Sequence, residues 1–144
     1  IKALRRIRSA PISVDETLVS VNDMAAIAHE GVAEVAHIKI NRVGGLTKAR
    51  RICDLAIAHG IQIYVLATGG STLSDAEAAA LVQSTPEEFR LGCWACQDML
   101  TVEVAPRRGP RSENGELFVP NDPGLGFAPD EALLGDPVAV YDGK

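Results

Sequence analysis

Several protein classes are excluded by what this 144-residue chain lacks. Three cysteines in a chain of this size are too few for a disulfide scaffold, and reduced thiols of a cytoplasmic protein are the simpler account. No apolar run approaches the roughly 20 residues of a membrane helix, which excludes a membrane partner of that kind. Positive charge is not in excess: 14 basic side chains face 19 acidic ones, for a net charge of −5. The two cationic clusters, Arg5-Arg6-Ile7-Arg8 and Arg107-Arg108-Gly109-Pro110-Arg111, read as solvated loops or helix ends, so no nucleic-acid partner is expected. Cys93-Trp94-Ala95-Cys96 is a C-x-x-C without a second cysteine pair or a nearby histidine, so it reads as structural thiols near a strand end. Gly44-Gly45 has no G-x-G-x-x-G or P-loop around it, which argues against a nucleotide site.

What is present is the material of an ordered domain, with 47% hydrophobic and 23% charged residues. The chain opens on Ile1 rather than Met, within a stretch that is basic and apolar by turns, and reads as part of a longer polypeptide. Strand and helix signals then alternate. Strands are expected at 11–14, 36–40, 61–66 and 89–93. Between them lie helices: one capped by Asn22 and closed by Gly31, one from Leu46 stopped by Gly60, and an alanine-rich one from Ser74 to Gln83. Measured from Val14 to Ile38, to Val65 and to Leu91, the strands recur every 24, 27 and 26 residues. That pitch indicates parallel βαβ units, and four of them amount to half of an eight-unit barrel; an open four- or five-stranded sheet has the same periodicity. After residue 100 the pattern changes. Residues 101–105 and 117–120 look like strands, Pro106 to Gly115 like a polar turn region, and 123–126 like a tight loop. The expected division is therefore 1–100 for the barrel half and 101–144 for an extension that packs elsewhere.

In parallel α/β proteins the chemistry gathers at the carboxyl ends of the strands. The first strand ends there in Asp15-Glu16, and Lys39 alternates with Ile38 and Ile40 on the second. The two isoleucines share one face, so Lys39 points to the other. One reading is an outward lysine at a helix boundary. The other is a lysine base near a carboxylate or metal, its pKa lowered by a neighbouring cation. His37 shares the face of Lys39 one layer deeper and reads as a packed histidine.

These segments carry a resemblance. Pro11-Ile12-Ser13-Val14-Asp15-Glu16, the run Ile38-Lys39-Ile40-Asn41-Arg42-Val43-Gly44-Gly45-Leu46, and the tail Asp122-Pro123-Gly124-Leu125-Gly126 with Pro129-Asp130-Glu131 together resemble the enolase superfamily, more narrowly its mandelate racemase and muconate lactonizing enzyme group. The resemblance covers essentially the whole chain. It implies an α/β chain forming the C-terminal half of a TIM-type barrel, with an extension returning toward a capping domain outside this chain. It implies Mg²⁺ held by three carboxylates, and abstraction of a proton α to a substrate carboxylate to give an enediolate. Residue by residue, Asp15 matches the third metal carboxylate and Lys39 the acid/base lysine. The other two carboxylates and the opposite lysine would lie upstream of Ile1. A lone carboxylate is a poor Mg²⁺ site, so the chain is expected to need the N-terminal half of its own barrel.

Departures from the group narrow the substrate. Thr68-Gly69-Gly70-Ser71-Thr72 has no acid where many relatives carry Glu-Ser, and Cys93-Trp94-Ala95 stands where dipeptide epimerases carry Asp-x-Asp. A free α-amine held by paired aspartates is therefore not expected. Trp94 offers a flat wall for a ring or a cation, as a compact cyclic amine would provide. Gly92 to Asp98 is similar to proline-derivative dehydratases and epimerases of the superfamily. The expected partner is thus a small carboxylate of proline type, in a cytoplasmic homo-oligomer, with dehydration ahead of racemisation, epimerisation or cycloisomerisation. The competing class is a non-catalytic α/β module that has lost its other half.

Overall fold

The computed structural model of the chain describes residues 1–7, 9–106 and 108–141; Arg8, Arg107 and residues 142–144, which the sequence reading assigned to its cationic clusters and its extension, lie outside them. A short helix α1 (Lys2–Arg5) leads into four strands, β1 (Ser13–Val14), β2 (Val35–Lys39), β3 (Gln62–Leu66) and β4 (Arg90–Trp94). All neighbouring pairs are parallel and the spatial order β1-β2-β3-β4 follows the sequence. The connections are α2 (Val21–Glu30), α3 (Ile40–Val43) with α4 (Leu46–Ala58), and α5 (Thr72–Gln83). Sequential order without a reversal is how a βα barrel wall is laid down, whereas an open doubly wound sheet has a switch point.

Alternation along the strands sorts the two faces. Ile38, Ile63 and Val65 are fully buried beneath α4 and α5 with Ile52, Cys53 and Ala78. Burying each such aliphatic side chain contributes roughly 1.5–3 kcal/mol, and this layer is the main source of the fold's stability. The opposite face carries His37, Lys39, Tyr64, Leu66 and Trp94, none of them fully buried. At β4 the register slips, Ile63 pairing with Arg90 and Tyr64 with Gly92, so that Leu91 bulges outward at 47% exposure. Gly92 accommodates the slip at φ +130°, a conformation L side chains rarely adopt.

Helix ends follow local chemistry, with one correction. Ser20, not Asn22, caps α2: its Oγ accepts the Asp23 N–H at 3.2 Å while Asp23 Oδ2 accepts the Ser20 hydroxyl at 2.7 Å and the Val19 N–H at 3.2 Å. The reciprocal pair satisfies donors at both ends of the turn, which Asn22 inside the helix cannot do. Likewise α5 begins at Thr72 rather than Ser74, because Ser71 Oγ accepts from Leu73 and Ser74. Gly31 closes α2 in the left-handed conformation, as its position suggests.

The extension departs further from expectation. Residues 101–105 are not a strand: they alternate like one but have no ladder partner among the described residues, and the Val104 carbonyl instead accepts the Asp130 N–H at 2.7 Å. The turn region 106–115 in fact contains β5 (Arg111–Glu113), which pairs antiparallel with β6 (Glu116–Phe118) across Asn114-Gly115. Both turn residues have positive φ, the requirement of a tight hairpin turn. A last turn of helix, α6 (Glu131–Leu134), is capped by Asp130.

Candidate active site

The carboxyl ends of β1 and β2 bring the two sequence-predicted charged residues together. Asp15 immediately follows β1, and Lys39 is the last residue of β2, directed to the face opposite the helices. Lys39 Nζ lies 2.8 Å from Asp15 Oδ1 and 3.1 Å from Oδ2, and 2.5 Å from Glu16 Oε1, with its side chain only 11% exposed. Lys39 does stand at the boundary with α3, but its side chain turns to the carboxylates rather than outward to solvent. Arg42, one turn along in α3, reaches the same pair, with Nη1 at 3.2 Å from Asp15 Oδ1 and Nη2 against Glu16 Oε2. His37 Nδ1 stands 4.0 Å from Asp15 Oδ2 and its ring lies 5.1 Å from that of Tyr64, one layer below Lys39.

This arrangement corrects the electrostatic expectation for the lysine. Partial burial and the Arg42 charge push the Lys39 pKa down, but hydrogen bonds and charge from Asp15 and Glu16 outweigh them and hold it above its ordinary 10.5. Within this chain Lys39 is an ammonium in its acid form. Desolvation likewise pushes the Asp15 carboxyl up, while Lys39, then Arg42 and His37, hold it below its ordinary 3.8. Glu16, beside Asp15 at the strand end, and Arg42 complete the cluster; neither was given a role in the sequence. The spacing Lys39-x-x-Arg42 across a strand-to-helix boundary is the signal that could have found Arg42.

Trp94 belongs to the same mouth. The register runs Lys39 to Leu66 to Trp94, placing all three on one face at one level. Two strand spacings, about 10 Å, separate the Lys39 and Trp94 backbones. The indole is 42% exposed and bonded to nothing on its open side among the described residues. Between them the ends of β2 and β3 are laced by Asn41 Nδ2, which donates to Thr68 Oγ1 at 2.7 Å. Thr68 is in the left-handed region at φ +60°, uncommon for a β-branched residue and a form of strain that collects at functional sites. Cys93 and Cys96 are free, and burial raises the Cys93 thiol to about 12, consistent with inert structural thiols.

Asp15 is a hard anionic oxygen donor, the type Mg²⁺ selects. Among the described residues, however, no group of three or more His, Cys, Asp or Glu side chains is gathered as a metal-holding set, and both Asp15 oxygens already face cations, Oδ1 meeting Lys39 and Arg42 and Oδ2 meeting Lys39. The residues present thus fit one ligand position of such an ion. No helix among them is long and apolar enough to cross a membrane.

A parallel βα wall thus carries a lysine, two carboxylates and an exposed indole at its strand ends. By its match over residues 1–133, the chain belongs to the Enolase C-terminal domain-like family. It is 36% identical over 139 residues to the cis-3-hydroxy-L-proline dehydratase of Roseibium aggregatum, covering 96% of this chain and 38% of that protein. Among solved structures, one from Silicibacter pomeroyi assigned to the mandelate racemase/muconate lactonizing enzymes superposes with a TM-score of 0.88 at 57% identity, covering 96% of this chain and 38% of that one. A member of the enolase superfamily from Roseovarius nubinhibens, complexed with magnesium, gives 0.90 at 41% identity over 97% of this chain and 38% of its own. The chain therefore spans a little over a third of the length of these relatives.

Proposed function

We propose that this chain supplies the C-terminal half of a barrel active site that removes the proton α to a carboxylate from a proline-type hydroxy acid and eliminates its β-hydroxyl. The observation that carries the reading is Lys39, nearly buried and aimed from the β2 end into the face that a closed barrel would enclose, in contact with Asp15 across the neighbouring strand. Likeness to the Roseibium dehydratase, together with an indole wall in place of paired aspartates, favours dehydration of a compact cyclic amine over epimerisation of a dipeptide.

In this reading Asp15 would be one Mg²⁺ ligand, with the remaining oxygen ligands coming from outside the residues described here. The ion would supply positive charge to offset the negative charge that develops when the α-proton leaves. Lys39 holds or moves a proton at Nζ. As an ammonium it is the donor form, suited to protonating the departing hydroxyl or returning a proton to the α-carbon; once neutral it is the acceptor form. Arg42 pairs with Asp15 and Glu16 and holds them in place, so that Lys39 has one defined position rather than several rotamers. Trp94 provides the flat surface against which a pyrrolidine ring would lie, and its face also favours a ring ammonium.

The test follows α-hydrogen exchange in D₂O, with Mg²⁺ and cis-3-hydroxy-L-proline, in the protein as it occurs with the sequence flanking this chain. Exchange or dehydration that depends on Mg²⁺ and is lost in Lys39→Ala supports the reading. Robust turnover of an acyclic amino acid derivative without turnover of proline derivatives would instead point to the racemase or cycloisomerase branch.

A further inference from the structure

Helix α5 carries an anomaly that the proposed chemistry does not use. Asp75 lies one turn into this helix and is fully buried, with Ala76, Ala78 and Ala79 around it. Its Oδ1 accepts the backbone N–H of Cys96 at 2.9 Å, 21 residues away, and its Oδ2 has no partner among the described residues. The Oγ1 of Thr72, three residues earlier on the same helical face, is also buried and without a partner. A buried carboxyl in an alanine-rich helix is costly unless a specific contact requires it.

That contact leads to the mouth. Cys96 is 1% exposed and is held from two sides: its N–H by Asp75, and its Sγ as acceptor of the Gly69 N–H at 3.1 Å. Two residues before it stands Trp94, whose carbonyl accepts the Ala67 N–H at 3.1 Å. One residue after it, Gln97 reaches into the extension, its amide donating to the Pro110 carbonyl and its Oε1 accepting the Ser112 N–H at 3.1 Å. The turn that ends β4 is thus fixed at its centre by one side chain from the helix layer.

We propose that Asp75 is a positioning residue for Trp94: by holding the Cys96 N–H it sets the turn that presents the indole to the substrate. The consequence for substrate rests on reading Trp94 as the substrate wall; the geometric coupling does not. What the turn requires is an acceptor at Oδ1, not a charge. Burial pushes the Asp75 carboxyl up, toward the neutral acid, against the pull of the Cys96 N–H and the nearby Gln97 side chain. Asparagine keeps that acceptor and the shape, whereas alanine and leucine remove it.

The test uses the protein with its natural flanking sequence, labelled with 5-fluorotryptophan, the Trp94 resonance being the one lost in Trp94→Phe. The ¹⁹F signal should shift in Asp75→Ala and Asp75→Leu and return in Asp75→Asn. Exchange of the Cys96 amide should quicken about tenfold in the alanine variant, the worth of one ordinary hydrogen bond. KM for the proline-type substrate should rise in the same variants while kcat holds. A moved and rescued resonance with an unchanged KM would keep the coupling and sink the substrate-wall reading. An unmoved resonance in both the alanine and leucine variants, or no rescue by asparagine, would overturn the proposal. Should both truncations fail to fold, unprotected exchange of the Cys96 amide in the wild type would overturn it as well.

Discussion

The two faces of the four-stranded sheet are built from the same strands and obey opposite rules. Toward the helices, Ile38, Ile63 and Val65 are fully buried and wholly apolar. Toward the other side, His37, Lys39, Tyr64, Leu66 and Trp94 alternate with them, none fully buried and one of them charged. Neighbouring residues on one strand thus face different surroundings, a packed apolar core on one side and an open, partly polar face on the other. A two-residue period makes that possible, since each side chain is assigned to a face by position alone.

The comparison is broken most severely from the helix side. Ile63→Ala should lower unfolding free energy by about 2–5 kcal/mol, read by urea denaturation, through lost burial and an unfilled cavity. Leu66→Ala, on the opposite face of the same strand, should cost clearly less because its side chain is only partly buried in this chain. A smaller loss, roughly 1–2 kcal/mol, is expected for Gly92→Ala, whose backbone at φ +130° does not suit a side chain. Ser20→Ala should cost about 1 kcal/mol through the lost cap of α2.

Two finer tests concern charge and thiols. The Ser20 hydroxyl bond holds the Asp23 carboxyl below its ordinary 3.8. A depressed folded value means this contribution is complete above 3.8 and is lost as pH falls through the lower folded value. Asp23→Asn should therefore flatten that acid limb of the stability profile by lowering stability at neutral pH while leaving it almost unchanged in acid. Burial raises Cys93 to about 12 and Cys53 to about 11, so iodoacetamide at pH 8 should label both only on unfolding, as mass spectrometry would show.

The helix-facing side was the more legible in the sequence, because apolar periodicity reports burial directly. All four strands were placed within one or two residues, and Gly31 was read correctly as a stop. Lys39 could be assigned to its face from Ile38 and Ile40, and Asp15 to its strand end. What escaped depended on long-range geometry. Lys39 and Arg42 meet Asp15 and Glu16 only because β1 and β2 are neighbours, and Asp75 makes sense only once Cys96 lies against it. The strand expected at 101–105 failed for the same reason: alternation supplies a face, but a strand also needs a partner, and none runs beside it among the described residues. The raised pKa of Lys39 likewise follows from two carboxylates where a neighbouring cation had been expected to dominate.

The most direct test of the account joins this chain to the N-terminal portion of the Roseibium aggregatum dehydratase, the relative it matches over 38% of its length. The α-hydrogen of cis-3-hydroxy-L-proline would be followed by NMR in D₂O with Mg²⁺ present. The account predicts exchange or dehydration by the folded chimera, and a drop of about 10²- to 10⁴-fold in Lys39→Ala, the usual worth of a positioned acid or base. A folded chimera that turns over equally well without the Lys39 amine would contradict it.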